Sequence, residues 1–285
     1  MSVKPAFSYY GGKQRMASKI VPLIPKHTVY VEPFAGGCAV LFKKPWPEVT
    51  NSNHYREVIN DTNGDLVHFY KMLRDRGKEL ARAGCLTPYS RQEHAERNDL
   101  TDCDIERARK WFVNISMSFA NHLNGVWGVG KTGCNEAVRW LNKCSNLLNV
   151  TTRLQGVHIE CKDAIDVIKQ WDSPHTFFYC DPPYPNTRQG HYSGYGSGDF
   201  NELVQTLGDI KGSFLLSCYP TEGMPANWER FQFAATMSAA RNAKNNKRTE
   251  VVYRKISTAP LSPAIKKIYD SGKLDCFTGH VGQIV

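Results

Sequence analysis

Short apolar runs that stop at polar, glycine or proline turns recur along the chain, with helix-period segments between them. The runs at Thr28–Val31, Glu57–Asn60, Thr176–Cys180 and Ser213–Tyr219 predict strands. Helical spacing follows in Met16, Ile20, Val21 and Leu23, in Ala39–Phe42 and in Ala164–Ile168. One long stretch, 67–156, breaks this alternation and reads as mostly helical. It contains a helix over Asp104–His122, with Ile105, Ala108, Phe112, Ile115 and Phe119 on its apolar face, and another over Asn135–Leu148, with Val138, Leu141 and Leu148. The expected architecture is an open α/β sheet formed by 1–66 and 157–285, carrying 67–156 as an inserted, mostly helical subdomain. Trp111, Phe112, Phe119, Trp127 and Trp140 are expected in the core of that insert.

Several strand ends carry chemistry. Thr176–Cys180 runs into Asp181, Pro182, Pro183 and Tyr184, and two prolines cannot continue a helix or a central strand. The turn holds a carboxylate, rigid carbonyls and an aromatic face at the carboxyl edge of the sheet, where open α/β sheets bind ligands. A planar base with an exocyclic amine suits these groups; an ordinary turn with a packed tyrosine is the plainer alternative. Tyr10, Gly11, Gly12 and Lys13 open an amphipathic stretch and predict a helix start able to receive an anion. Glu32, Pro33, Phe34, Ala35, Gly36 and Gly37 end another strand in a glycine turn, without a dinucleotide or P-loop fingerprint. Asp61 stands where an acid takes ribose hydroxyls, in a segment that also reads as a helix cap. Asp163 precedes Ala164 at a further helix start, able to cap it, to meet an adenine edge, or both.

With these segments in view, the chain resembles the Dam-like (D12, alpha) adenine-N6 DNA methyltransferases. The matching motifs are Tyr-Gly-Gly-Lys at Tyr10–Lys13, Glu-Pro-Phe-Ala-Gly-Gly at Glu32–Gly37, Asn-Asp-Thr-Asn at Asn60–Asn63 and Asp-Pro-Pro-Tyr at Asp181–Tyr184, in the family's order. The resemblance implies a Rossmann-like class I methyltransferase fold, with 67–156 as the target-recognition subdomain. It also implies S-adenosylmethionine as cofactor, lying against Tyr10–Lys13, Glu32–Gly37, Asp61, Asp163 with Ala164, and Asp181. Lys13 would meet either the cofactor carboxylate or the DNA backbone. The target adenine would leave the duplex stack, rest on Tyr184 and offer its N6 amine to the Asp181 carboxylate and the Pro182 carbonyl.

The chain's 285 residues carry a net charge of +9, which suits a polyanionic partner. Double-stranded DNA is the expected one. The expected contacts are Lys13, Arg91, Asn121, Asn124, Lys131, Arg188, Tyr192, Lys244, Lys247 and Arg248, the last three within a basic, Asn- and Ala-rich segment read as a mobile loop. Nine cysteines without a C-x-x-C pair, and no leader or membrane-length apolar run, predict reduced thiols, no metal and a cytoplasmic protein. A separate restriction endonuclease is a candidate partner, and a monomer or a homodimer fits equally. The competing readings are an RNA adenine-N6 methyltransferase, a protein-glutamine methyltransferase, which usually has Asn in place of Asp181, and a DNA-binding relative without activity.

Overall fold

A computed structural model describes residues 3–45, 55–130, 133, 135–185, 194–236, 247–260, 263 and 266. Among them, seven strands form one mixed sheet in the order β3-β2-β1-β4-β5-β7-β6. The strands are β1 (Val29–Glu32), β2 (Arg56–Asn60), β3 (Val157–Glu160), β4 (Thr176–Cys180), β5 (Ser213–Cys218), β6 (Glu229–Thr236) and β7 (Lys247–Lys255). β1 to β5 are parallel, with Tyr30 opposite Glu57 on one side and Phe177 on the other. β7 runs antiparallel between β5 and β6. This arrangement is the α/β Rossmann-like mixed sheet expected from the alternation of apolar runs and helical segments.

The helices are α1 (Ala17–Ile20), α2 (Ala39–Lys43), α3 (Gly64–Asp75), α4 (Gly77–Leu86), α5 (Arg91–Ala95), α6 (Asp104–Met117), α7 (Glu136–Leu154), α8 (Ala164–Trp171) and α9 (Ser197–Asp209). Strand pleating sends alternate side chains to opposite faces, so both faces of the central strands are apolar. Tyr30, Phe177, Tyr179 and Leu215 join α3, α6 and α7 in one cluster, through Phe69, Phe112 and Trp140. Val31, Phe178, Phe214 and Leu216 pack against α8 and α9, through Val167, Ile168, Leu203 and Leu207. None of these helices is long and apolar enough to cross a membrane.

The observed elements correct several expectations from the sequence. The helix after Gly11-Gly12 does not start at the glycines. Gly12 N–H closes a turn on the Tyr9 carbonyl at 2.9 Å, and only Ala17–Ile20 is α-helical. The helix expected to reach His122 ends at Met117, because Ser118 turns extended and the returning chain takes over its hydrogen bonds. Phe119 N–H donates to the Val126 carbonyl and Gly128 N–H to the Met117 carbonyl, both at 2.7 Å. Phe119 is therefore 64% exposed rather than in the core, and Trp127 is half-buried. On α7 the inward stripe is Trp140, Cys144, Leu147 and Val150, while Val138, Leu141 and Leu148 face outward. Lys247 and Arg248, expected in a loop, open β7 opposite Thr236 and Ala235.

Candidate active site

The strand order reverses direction of growth at β1 and β4, which opens a crevice at the carboxyl ends of these parallel strands. A cleft of about 1970 Å³ lies there, lined by Glu32, Asp61, Asp163, Asp181, Tyr184 and Glu250 among others. Three of the lining segments are the turns that directly follow β1, β2 and β4.

The turn after β4 is built around an ion pair. Lys13 Nζ lies 2.8 and 3.0 Å from the two Asp181 carboxylate oxygens and donates to the Gly11 carbonyl at 2.9 Å. Glu250 of β7 brings a second carboxylate to 4.0 Å of the same ammonium. The Tyr184 hydroxyl donates to Asp181 Oδ1 at 3.3 Å, its ring meets Tyr219 edge-on at 4.5 Å, and the Lys13 ammonium lies 4.9 Å from the ring centre. Burial works to discharge Lys13, but Asp181 and Glu250 outweigh it and hold its pKa above the ordinary lysine value. Burial pushes the Asp181 carboxyl upward, against the pull of Lys13 and Tyr184. One ammonium stands between two carboxyl groups here, and burial pushes the Glu250 carboxyl upward as well, against the pull of Lys13.

The turn after β1 is fixed by its neighbours. Glu32 Oε1 accepts from the Tyr30 hydroxyl at 2.6 Å and from Leu41 N–H of α2 at 2.7 Å, and burial pushes the Glu32 pKa up to about 7. Gly36 adopts φ +45°, a conformation that favours glycine, and a Cβ on Gly12 would come within 2.9 Å of the Tyr9 carbonyl. Asp61, after β2, accepts from Gly36 N–H at 3.0 Å and from Asn63 N–H at 2.9 Å. Asn63, in turn, caps α3 by accepting from Asp65 and Leu66 N–H, so cap and carboxylate coexist in one turn. Asn60 donates to the Pro33 carbonyl at 2.9 Å and the Lys162 carbonyl at 3.0 Å, tying together the turns after β1 and β3. Asp163 caps α8 through Ile165 N–H at 2.8 Å and still lines the cleft.

These geometries fit a nucleoside-bearing cofactor. A carboxylate has about four acceptor sites, and Asp61 meets the N–H groups of Thr62 and Asn63 in its own loop and of Gly36 in the turn after β1, leaving acceptor capacity toward the cleft. Phe34 and Tyr195 meet edge-on at 6.1 Å and both line the cleft along with Asp163. The side-chain-free turn at Gly36 and Gly37 lets backbone approach a ligand.

Residues 9–217, well over half of the chain, match the family of D12 class N6 adenine-specific DNA methyltransferases. The chain belongs to this family. It is 28% identical over 229 residues to the type II methyltransferase M.MjaIII of Methanocaldococcus jannaschii, covering 71% of this chain and 76% of the relative. It is also 28% identical over 235 residues to the DNA N-6-adenine-methyltransferase of Escherichia phage P1, covering 73% of this chain but 29% of that longer protein. The DNA adenine methylase of Salmonella typhi is 22% identical over 253 residues, 83% of this chain and 87% of the relative. This methyltransferase is thus a site-specific enzyme acting on adenine N6 in DNA, and its family implies the use of S-adenosylmethionine.

The cleft of this methyltransferase gathers Tyr10–Lys13, Glu32–Gly37, Asp61, Asp163, Ala164 and Asp181–Tyr184. Tyr10 lies against His122, with ring centres 4.9 Å apart. Of the residues expected to touch DNA, Asn121 lines the cleft, in the left-handed region at φ +55°. Asn124, also left-handed, is held from α6: its N–H donates to Asn114 Oδ1 at 2.7 Å and its Oδ1 accepts from Asn114 Nδ2 at 2.8 Å. The Arg91 guanidinium lies over the Trp127 ring, 4.4 Å from its centre, and so contacts the 118–128 loop. Lys13 is 4% exposed and committed to Asp181. Lys131, Arg188, Tyr192 and Lys244 lie outside the described residues. Sequence reasoning missed Glu250 and the bridging role of Asn60. Glu250 lies in Arg248–Tyr253, a segment that the family resemblance reaches without marking a site residue, and its own signal is a lone acid ahead of Val251 and Val252.

Proposed function

We propose that this methyltransferase transfers the methyl group of S-adenosylmethionine to N6 of an adenine flipped out of double-stranded DNA, with Asp181, Pro182 and Tyr184 holding the base. The observation that carries the reading is the half-buried Asp181 carboxylate beside Tyr184 at the switch point of the sheet. The cofactor supplies an electrophilic methyl on a good leaving group. Asp61 takes the ribose hydroxyls, Glu32 and the Gly36-Gly37 turn border the methionine end, and Phe34, Tyr195 and Asp163 surround the adenine end.

The adenine amine is a weak nucleophile because its lone pair is shared with the ring. Acceptors at the Asp181 carboxylate and the Pro182 carbonyl hold its two N–H groups and favour a more pyramidal nitrogen. The Asp181 carboxylate, held in place by Lys13, stabilises the positive charge that develops on N6, in a site fixed before the base arrives. Tyr184 stacks on the extruded ring, and no covalent enzyme intermediate is needed. Residues 67–156 form the recognition subdomain, with the 118–128 loop facing the DNA. Three left-handed non-glycine residues, Ala120, Asn121 and Asn124, give that loop a strained backbone of the kind kept at binding sites.

The test is equilibrium binding of S-adenosylmethionine to the wild type and to Asp61→Ala. A charged acceptor bonded to hydroxyls contributes about 1.5–3 kcal/mol, so the variant should bind at least tenfold more weakly. Unchanged affinity in a folded variant would remove the cofactor assignment.

A further inference from the structure

One wall of the cleft carries positive charge that no acid among the described residues answers with an ion pair. Between the 118–128 loop and α7, the cleft is lined by Arg139 and Lys143, four residues apart on one helix face. Lys143 Nζ donates to the Ser116 carbonyl at 3.3 Å and to Asn121 Oδ1 at 3.1 Å, both neutral acceptors, leaving one N–H of the ammonium to spare. Arg139 is exposed, and its guanidinium has no hydrogen-bond or ion-pair partner among the described residues. Buried cations elsewhere in the protein are met by carboxylates: Lys13 by Asp181, Lys44 and Arg153 by Glu57, Arg109 by Glu93 and Glu106. Two adjacent cations, one of them half-buried, oppose each other, and Glu136 on the same wall forms an ion pair with neither, so the pairing calls for an anion from outside.

We infer that Arg139 and Lys143 seat one phosphate of the DNA backbone, and that Lys143 couples this phosphate to the recognition loop through Asn121. The inference rests on the DNA-binding face proposed above. Asn121 is held in a left-handed conformation while its side-chain oxygen is bonded to Lys143, so a phosphate that draws on the ammonium also acts on the loop's posture. Burial and the neighbouring Arg139 push the Lys143 pKa down to about 8 in the free protein, with Cys144 acting weakly the other way. Glu136, Tyr89 and His122 also line this wall. A phosphate favours the charged lysine, so DNA affinity falls as pH rises through this value.

The experiment measures binding of a labelled mixed-sequence duplex over a series of salt concentrations, with S-adenosylmethionine binding in parallel. Each phosphate that a variant no longer neutralises should flatten the slope of log K against log salt by about 0.9, so the double variant Arg139→Gln/Lys143→Met should do so and each single variant should lose part of it, while Lys143→Arg keeps the slope. Cofactor affinity should not change in any of them. Sequencing of methylated adenines in plasmid DNA should show more sites accepted by Lys143→Met, but not by Arg139→Gln. A wild-type slope in the double variant, or a loss of cofactor binding in place of a slope change, would overturn the phosphate seat. An unaltered site set in Lys143→Met would overturn the coupling. Salt-independent binding by the wild type itself would overturn both this inference and the DNA face beneath it.

Discussion

Replacing Asp181 with Asn changes little in size and much in chemistry. The carboxylate offers two charged acceptor oxygens, both within 3.0 Å of Lys13 Nζ, with Tyr184 donating to one. An amide keeps one neutral acceptor, and the Lys13 ammonium draws that oxygen to itself, which turns the NH2 group toward the adenine amine. Donor then faces donor. The loss of one charge-assisted hydrogen bond costs about 1.5–3 kcal/mol, and an unpaired buried donor adds about 1 kcal/mol more. The sum corresponds to a fall of about 10²–10³ in the rate of methyl transfer, the range seen when one preorganised electrostatic group is removed. The fold should survive, because Lys13 retains the Gly11 carbonyl and Glu250. The assay is single-turnover methylation at saturating cofactor and DNA, with cofactor affinity measured separately. Turnover within a few-fold of the wild type, in a protein that still binds both ligands, would refute the role assigned to Asp181.

Further outcomes follow from other parts of the structure. Despite burial, Lys44 and Arg153 hold Glu57 down from 4.5 to about 2, which makes the ionised acid worth about 3 kcal/mol at neutral pH; that stability is present above 4.5 and lost as pH falls toward 2. Glu57→Gln, which strands two buried cations, should cost about 3–5 kcal/mol by urea unfolding, and a loss under 1 kcal/mol would contradict the buried network. Phe112→Ala should cost about 3–5 kcal/mol, whereas Phe119→Ala should change stability by less than about 0.5 kcal/mol; equal losses would contradict the end of α6 at Met117. Glu32 is pushed up from 4.5 to about 7, so it becomes mostly anionic only above neutrality. Cofactor affinity, measured by calorimetry, should therefore rise between about pH 6 and pH 8 as the cationic methionine end gains an anion, and Glu32→Gln should abolish that rise. The same upward shift means that the fold itself loses stability as pH climbs from 4.5 toward 7.

The strand ends were legible because punctuation is strong there. Asp181 is fixed by an apolar run on one side and two prolines on the other, and Gly36 marks a turn that only a few residues tolerate. The error at Phe119 came from periodicity that continues past the true end of α6, where Ser118 and the returning Gly128 close the helix by long-range hydrogen bonds. Val138, Leu141 and Leu148 obey helical spacing as well as Trp140, Cys144 and Leu147 do. Which stripe turns inward is decided by the partners of Trp140, whose indole N–H donates to the Thr87 carbonyl at 2.9 Å. The pairing of Lys13 with Asp181 spans 168 positions, and the bonds of Asn60 to Lys162 span 102. Pairings so distant in sequence leave no local mark. The Lys143 bond to Asn121 was equally hidden, since a lysine within an amphipathic helix reads as a solvated surface residue.

The most direct test of the central claim is mass spectrometry of nucleosides from unmethylated duplex DNA and matched RNA, after incubation with purified protein and S-adenosylmethionine, with Asp181→Ala in parallel. The account predicts N6-methyladenine in the DNA, none in the RNA, and its loss in the variant. Methylated adenine in the RNA alone, or equal methylation of DNA by the variant, would contradict it.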